Sequence, residues 1–92
     1  MKVEITREEA QERYPKIPEQ ILDSLYRYVE KRIPTGGFLR AVLANDLFEA
    51  MGRADSECIN AILYICQFIY CNCPGGCYGS YQRVNEWIEG ED

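Results

Sequence analysis

Apolar residues recur at three- and four-residue steps along most of this chain, a spacing that predicts helices rather than strands. Thr6-Arg7-Glu8-Glu9 reads as a capping box that opens a short helix, and Tyr14-Pro15 ends it. Pro18 suits the first turn of a second helix over about residues 18–32. There Ile21, Leu22, Leu25, Val29 and Ile33 make one face, with Tyr26 and Tyr28 flanking it. Lys31 and Arg32 give its C-terminus the charge the helix dipole prefers. After the turn Pro34-Thr35-Gly36-Gly37, the stripe Phe38, Leu39, Val42, Leu43, Leu47 and Met51 predicts one continuous third helix to about residue 51. Gly52 then serves as a C-terminal stop.

A fourth helix, capped by Asp55 or Ser56, runs to about residue 71 with Ile59, Ile62, Leu63, Ile65, Cys66, Phe68 and Ile69. It is apolar nearly all round, which makes it a central helix or one with a face covered by another subunit. Asn72-Cys73-Pro74-Gly75-Gly76-Cys77 is the clearest loop, and Ser80 opens a last short helix packed by Val84, Trp87 and Ile88. Only Lys2 to Ile5 hints at strand alternation. The expected fold is all-α: one domain over 1–92, a compact bundle of four to five short helices, with residues 1–5 and 90–92 frayed.

Composition narrows the function classes. The chain has 92 residues, 47% hydrophobic, with no apolar run of the roughly 20 residues a bilayer span needs and no secretory core after Met1-Lys2-Val3-Glu4. The expectation is a cytoplasmic protein without membrane contact. Net charge is −5 and unevenly placed: residues 35–92 hold only Arg40, Arg53 and Arg83 against eight acids. A nucleic-acid polymer, which needs a basic stripe, is therefore not the expected partner. Histidine is absent, which removes the usual Ser-His and Cys-His nucleophile pairs. The expectation is a non-enzymatic protein with no cofactor. A metal-assisted hydrolase on Asp46 and Glu49 is the least supported class.

Two helix starts resemble each other: Thr35-Gly36-Gly37-Phe38-Leu39-Arg40 and Tyr78-Gly79-Ser80-Tyr81-Gln82-Arg83. With Gly37 and Ser80 as N-caps, Arg40 and Arg83 each fall on the third helical residue, where the dipole disfavours a cation. That arrangement predicts an anion cradle. Amides of Gly37, Phe38, Ser80 and Tyr81 would face a phosphate or carboxylate, the two arginines would add charge-assisted bonds, and Tyr78 or Tyr81 would stack on a base. The same residues also fit plain capping, with the arginines reaching acids such as Glu49 or Glu86.

Three further features carry paired readings. Cys71, Cys73 and Cys77 make a zinc site only if Cys66 or Cys58 adds a ligand, at a spacing unlike paired Cys-x-x-Cys knuckles; otherwise they are inert or redox-sensitive thiols. Asn45-Asp46 with Glu49 is either a polar ligand contact or a solvated helix face. Seven tyrosines exceed what one small core buries with satisfied hydroxyls, so some face a partner, a second subunit or a ligand, or stand half-exposed to water.

From about Tyr14 to Ile88 the chain resembles a widespread group of small tailed-phage and prophage proteins. The residues that carry the resemblance are Ile33-Pro34-Thr35-Gly36-Gly37-Phe38-Leu39-Arg40-Ala41-Val42-Leu43, then Asn45-Asp46-Leu47, Ala50 and Arg53-Ala54-Asp55. Cys77-Tyr78-Gly79-Ser80 and Val84 to Trp87-Ile88 complete it. The pattern IPxGGFLxAVLxNDL is its signature; Cys71 and Cys73 depart from it, whereas Cys77 matches. The resemblance implies a phage source and, with it, the host-cell cytoplasm during infection. Small phage proteins without catalytic residues include oligomeric sponges for nucleotide immune signals. The leading expectation is thus a homo-oligomer, joined through the fourth helix and surface tyrosines, that sequesters a small anionic, nucleotide-type ligand. The alternative is a protein–protein interaction module that inhibits or redirects a host factor through exposed Tyr and the acidic second half.

Overall fold

Six α-helices follow one another in the computed structural model, which describes residues 2–90. They are α1 (Arg7–Arg13), α2 (Glu19–Lys31), α3 (Gly37–Leu43), α4 (Leu47–Arg53), α5 (Ser56–Asn72) and α6 (Tyr81–Glu89), with a 3-10 turn at Gly75–Cys77 before α6. No strand occurs among the described residues. The fold is all-helical, as the periodicity predicts, with one helix more than the five that the apolar pattern separates.

The additional helix comes from a break in the expected third one. Asn45 adopts a left-handed conformation at φ 62° and closes α3 as a Schellman cap. The Asp46 N–H bonds the Ala41 carbonyl at 2.9 Å and the Asn45 N–H bonds that of Val42 at 3.1 Å. Asp46 immediately caps the next helix, its carboxylate accepting from the Glu49 N–H at 3.3 Å. Stop and start therefore share two adjacent residues, and the apolar period runs straight through them. The reading of Asn45-Asp46 as mid-helix polar residues is corrected accordingly.

Other boundaries follow their local chemistry. Thr6 accepts from the Glu9 N–H at 3.1 Å and opens α1. Asp55 accepts from the Cys58 N–H at 2.8 Å and opens α5, and hydrogen bonds from the Cys58 backbone and thiol hold its carboxyl below the usual range. Pro18 stands just before α2. Asn72, expected in the loop, is instead the last residue of α5 and is buried. Its side-chain amide donates to the Phe68 carbonyl and to the Tyr14 hydroxyl, both at 3.2 Å.

The core joins Leu22, Leu25, Tyr28 and Val29 of α2 to Ile65, Phe68 and Ile69 of α5, with Leu39, Leu43, Val84 and Trp87 from α3 and α6. Tyr28 is fully buried, and its hydroxyl donates to the Cys77 carbonyl at 2.7 Å. The Trp87 indole N–H donates in turn to the Tyr28 carbonyl at 3.1 Å, so the loop and the last helix are both fastened to α2. Arg32 adds a guanidinium 4.4 Å above the Trp87 ring.

The N-terminal segment is ordered by the same means, against the expectation of fraying at residues 1–5. Val3 is buried, the Glu4 N–H bonds the Asn72 carbonyl at 2.9 Å, and the Tyr26 hydroxyl donates to the Ile5 carbonyl at 2.7 Å. Burial pushes the Tyr26 hydroxyl up to about 12. Met1, Glu91 and Asp92, also expected to fray, lie outside the described residues.

The molecule measures 34 × 29 × 18 Å, and the short dimension accommodates two layers of helices rather than three. Helix α5 is therefore not wrapped on all sides. Cys58, Ala61, Ile65, Phe68 and Asn72 face the core, while Ile59, Leu63 and Tyr70 are exposed.

Two outcomes test this architecture. Asn45→Gly leaves stability near wild type, whereas Asn45→Ala costs about 1–2 kcal/mol in urea unfolding, because only Gly and Asn tolerate the left-handed region. The Asp55 contribution is fully present above its unfolded pKa of about 3.9 and is lost as the pH falls through its lower folded value. Acid unfolding of Asp55→Asn, which keeps the cap without the charge, therefore shows a weaker pH dependence than wild type.

Candidate functional site

The α3–α4 corner turns α4 back along α3, and this return builds a polar hollow. Gly37, Arg40, Glu49, Arg53 and Tyr81 line a surface depression of about 270 Å³. Arg53 comes from the last turn of α4 and lies directly on Gly37: a Cβ there would stand 2.9 Å from Nη1 of Arg53. Gly37 thus supplies room for a guanidinium rather than a turn conformation.

Arg40 approaches from α3. Its guanidinium lies 5.3 Å from the centroid of the Tyr81 ring, and its Nη2 donates to Oδ1 of Asn85 at 2.9 Å. The Tyr81 hydroxyl donates to Oδ2 of Asp46 at 2.7 Å. That bond to a carboxylate raises the Tyr81 pKa above its ordinary value, with lesser contributions from desolvation and nearby charge. Asp46 therefore caps α4 with one oxygen and holds the aromatic wall of the hollow with the other. Opposite, Nε of Arg53 pairs with Oε1 of Glu49 at 2.7 Å, both side chains about half exposed. A solvated pair of this kind contributes only about 0–1 kcal/mol to stability.

The two helix starts differ from the expected pair. The N-cap of α3 is Gly36, not Gly37: the Arg40 N–H bonds the Gly36 carbonyl at 3.0 Å, which places Arg40 fourth in its helix. With seven residues, α3 offers a weak dipole, so the charge at the hollow is that of its side chains, Arg40, Arg53 and Glu49. The N-cap of α6 is Ser80 as expected, its hydroxyl accepting from the Arg83 N–H at 3.1 Å.

Arg83, third in α6, points away from Arg40. Tyr81 and Asn85 are four residues apart and share one face of α6, whereas Arg83 sits about 200° round from Tyr81 at the helical pitch. Its Nη1 reaches the Gly75 carbonyl at 3.4 Å and the Tyr78 carbonyl at 3.5 Å. The two arginines thus contact Asn85 and loop carbonyls rather than Glu49 or Glu86. Arg53 stands in the hollow where Arg83 was expected. The signal that identifies it is Gly37 itself, a helical position kept empty for a neighbour.

The remaining candidates distribute elsewhere. Asn45, Tyr78 and Gly79 line a separate, mainly apolar cavity of about 320 Å³ with Val42, Leu43, Cys66, Ile69 and Tyr70. Gly79, at φ 126°, donates its N–H to the Leu43 carbonyl at 2.7 Å and so ties the loop to the end of α3. Gly36 and Phe38 border a third depression of about 350 Å³ that shares Gly37 and Arg53 with the first. The Thr35 hydroxyl donates to the Gly36 carbonyl at 3.1 Å.

Cys73 and Cys77 hydrogen-bond each other through their side chains, but the five cysteines do not converge on one site. Cys66 and Cys71 are exposed on α5, whereas Cys58, Cys73 and Cys77 are buried. Positions 66 and 71 point about 140° apart on the helix, and Cys73 and Cys77 turn inward beneath it. Among the described residues no group of three or more His, Cys, Asp or Glu can hold a metal ion, and the zinc alternative on Cys66, Cys71, Cys73 and Cys77 falls with that. Burial, followed by the Asp55 hydrogen bond and charge, pushes the Cys58 thiol up to about 11.

Of the tyrosines, Tyr28 is buried, Tyr14, Tyr26, Tyr64 and Tyr78 are half-buried, and Tyr70 and Tyr81 are exposed. No helix among the described residues is long and apolar enough to cross a membrane. Comparison with protein-family models, with curated proteins and with solved structures finds no match.

Asp46 is the residue on which the hollow turns. Asp46→Ala removes the α4 cap and lowers unfolding free energy by about 1–2 kcal/mol, as chemical denaturation reads it. Asp46→Asn retains a capping acceptor and costs less.

Proposed function

We propose that this protein is a phage-encoded, non-enzymatic binding protein that sequesters a small phosphate-bearing ligand of nucleotide type. It acts as a homo-oligomeric counter-defence sponge in the host cytoplasm. The observation that carries the reading is the pair Arg40 and Arg53 lining one hollow beside the Tyr81 ring. Arg40 and Arg53 give a phosphate two planar sets of charge-assisted donors. Tyr81 offers an aromatic face for a base, and its hydroxyl is already occupied by Asp46.

Size supports a compact ligand. A hollow of about 270 Å³ lies just below the usual range for small-molecule sites, room for a phosphate and sugar rather than a whole dinucleotide. A larger signal would extend across Gly37 and Arg53 into the adjoining depression at Gly36 and Phe38. Catalysis finds less support in the same residues. Asp46 is engaged with both Tyr81 and the α4 cap, which leaves its oxygens committed rather than free for a general base.

Isothermal titration against a nucleotide panel tests the proposal. At least one phosphorylated ligand binds, more weakly as salt rises. Arg40→Ala or Arg53→Ala each weakens it roughly 10- to 150-fold, the loss of a hydrogen bond to a charged group. Arg83→Ala leaves affinity unchanged. Absence of heat with every phosphorylated ligand, or binding indifferent to both Arg40→Ala and Arg53→Ala, rejects it.

A further inference from the structure

Helix α5 carries an inner seam buried within the chain and an outer apolar seam left largely exposed, of which Cys66 and Tyr70 also border the cavity shared with α3. The inner seam, Cys58, Ala61, Ile65, Phe68 and Asn72, is buried against the core. The outer seam, Ile59, Leu63, Cys66 and Tyr70, steps by four, three and four residues along the solvent side. That alternation is the heptad spacing with which one helix packs against another. Helix α4 widens the face. Leu47, Phe48 and Met51 share one side of it, and Leu47 and Ala50 line a shallow hollow together with Ile62 and Cys66 of α5.

We infer that this α4–α5 face is a two-fold interface with a second copy of the same chain, the α5 helices crossing antiparallel between Leu63 and Cys66. Three observations select this occupant. The first is area. Phe48 is 90% exposed, Tyr70 77%, Leu63 61% and Leu47 60%, with Ile59 and Met51 near 40%. At roughly 150–250 Å² for an aromatic side chain and somewhat less for Leu, Ile and Met, these six leave on the order of 600 Å² in water. A standard interface buries about 800 Å² per partner, so these six side chains alone account for most of it.

The second is charge. From Cys58 to Gln82 the sequence contains no Asp, Glu, Lys or Arg, although the whole chain carries −5. Two copies therefore meet along α5 without like-charge repulsion, and the antiparallel crossing sends Asp55 and Glu57 of each copy to opposite ends. The third is chemistry. Interfaces between unlike, separately soluble proteins are no more apolar than ordinary surface, whereas homodimer interfaces are. A face this apolar, free of charge along its α5 part, matches the second kind.

This interface deepens the homo-oligomer of the proposed function, yet it shares no residue with the Arg40–Arg53 hollow. Loss of ligand binding and loss of assembly are thus separately readable.

Sedimentation equilibrium of the full chain, from low-micromolar to near-millimolar protein, tests the inference. The expected species has twice the 10.7 kDa chain mass. Leu63→Glu and Tyr70→Glu each convert it to monomer with unchanged helical circular dichroism, since both side chains lie outside the core. Two variants are used so that misfolding of one leaves the other decisive. A wild-type chain that stays monomeric throughout overturns the inference, as does an assembly that survives the folded glutamate variants. A monomer that binds a different protein through this face overturns it equally.

Discussion

The Asp46 carboxylate is the constraint on which the rest of the molecule's surface depends. After Asn45 turns the chain, one oxygen of Asp46 starts α4 and the other bonds Tyr81, so a single side chain ties α6 to the bend. If α3 and α4 continued as one helix, Leu47 and Met51 would prolong the stripe of Val42 and Leu43 towards the core, and Arg53 would end far from Gly37. The corner instead returns Arg53 to Gly37 and turns Leu47 and Phe48 outward. The polar hollow and the exposed α4 residues Leu47 and Phe48 are two consequences of one bend.

Most of the architecture is legible where local chemistry and periodicity agree. Thr6, Asp55 and Ser80 each cap the helix their sequence context assigns to them, because a side-chain acceptor beside an apolar repeat has one economical use. The break at Asn45-Asp46 is hidden because the apolar repeat keeps its phase across it. Asp46-x-x-Glu49 has the spacing of a capping box, but inside an unbroken stripe it reads equally as a solvated face. Tertiary anchoring is hidden too. Nothing local indicates that Glu4 will bond the Asn72 carbonyl and order the N-terminal segment.

The candidate site is legible in part and for an identifiable reason. Gly37, Arg40 and Tyr81 do meet, as the resemblance between the two helix starts suggests. Arg83 does not join them, since helical pitch places it on the far side of α6 from Asn85. Sequence likeness between two helix starts fixes neither the rotation of each helix nor which faces approach. Arg53 enters through the corner, a feature invisible to any argument from helix N-termini. The charges at the hollow are those of side chains on two short helices rather than of a helix dipole.

Nuclear Overhauser effects in the isotopically labelled protein test the central claim, that the Asn45-Asp46 corner brings α4 back onto α3. The account predicts cross-peaks between the Gly37 α-protons and the Arg53 δ-protons, together with an interruption of sequential helical contacts at residues 44–46. Unbroken helical contacts from Phe38 to Met51, with no Gly37–Arg53 cross-peak, would contradict it.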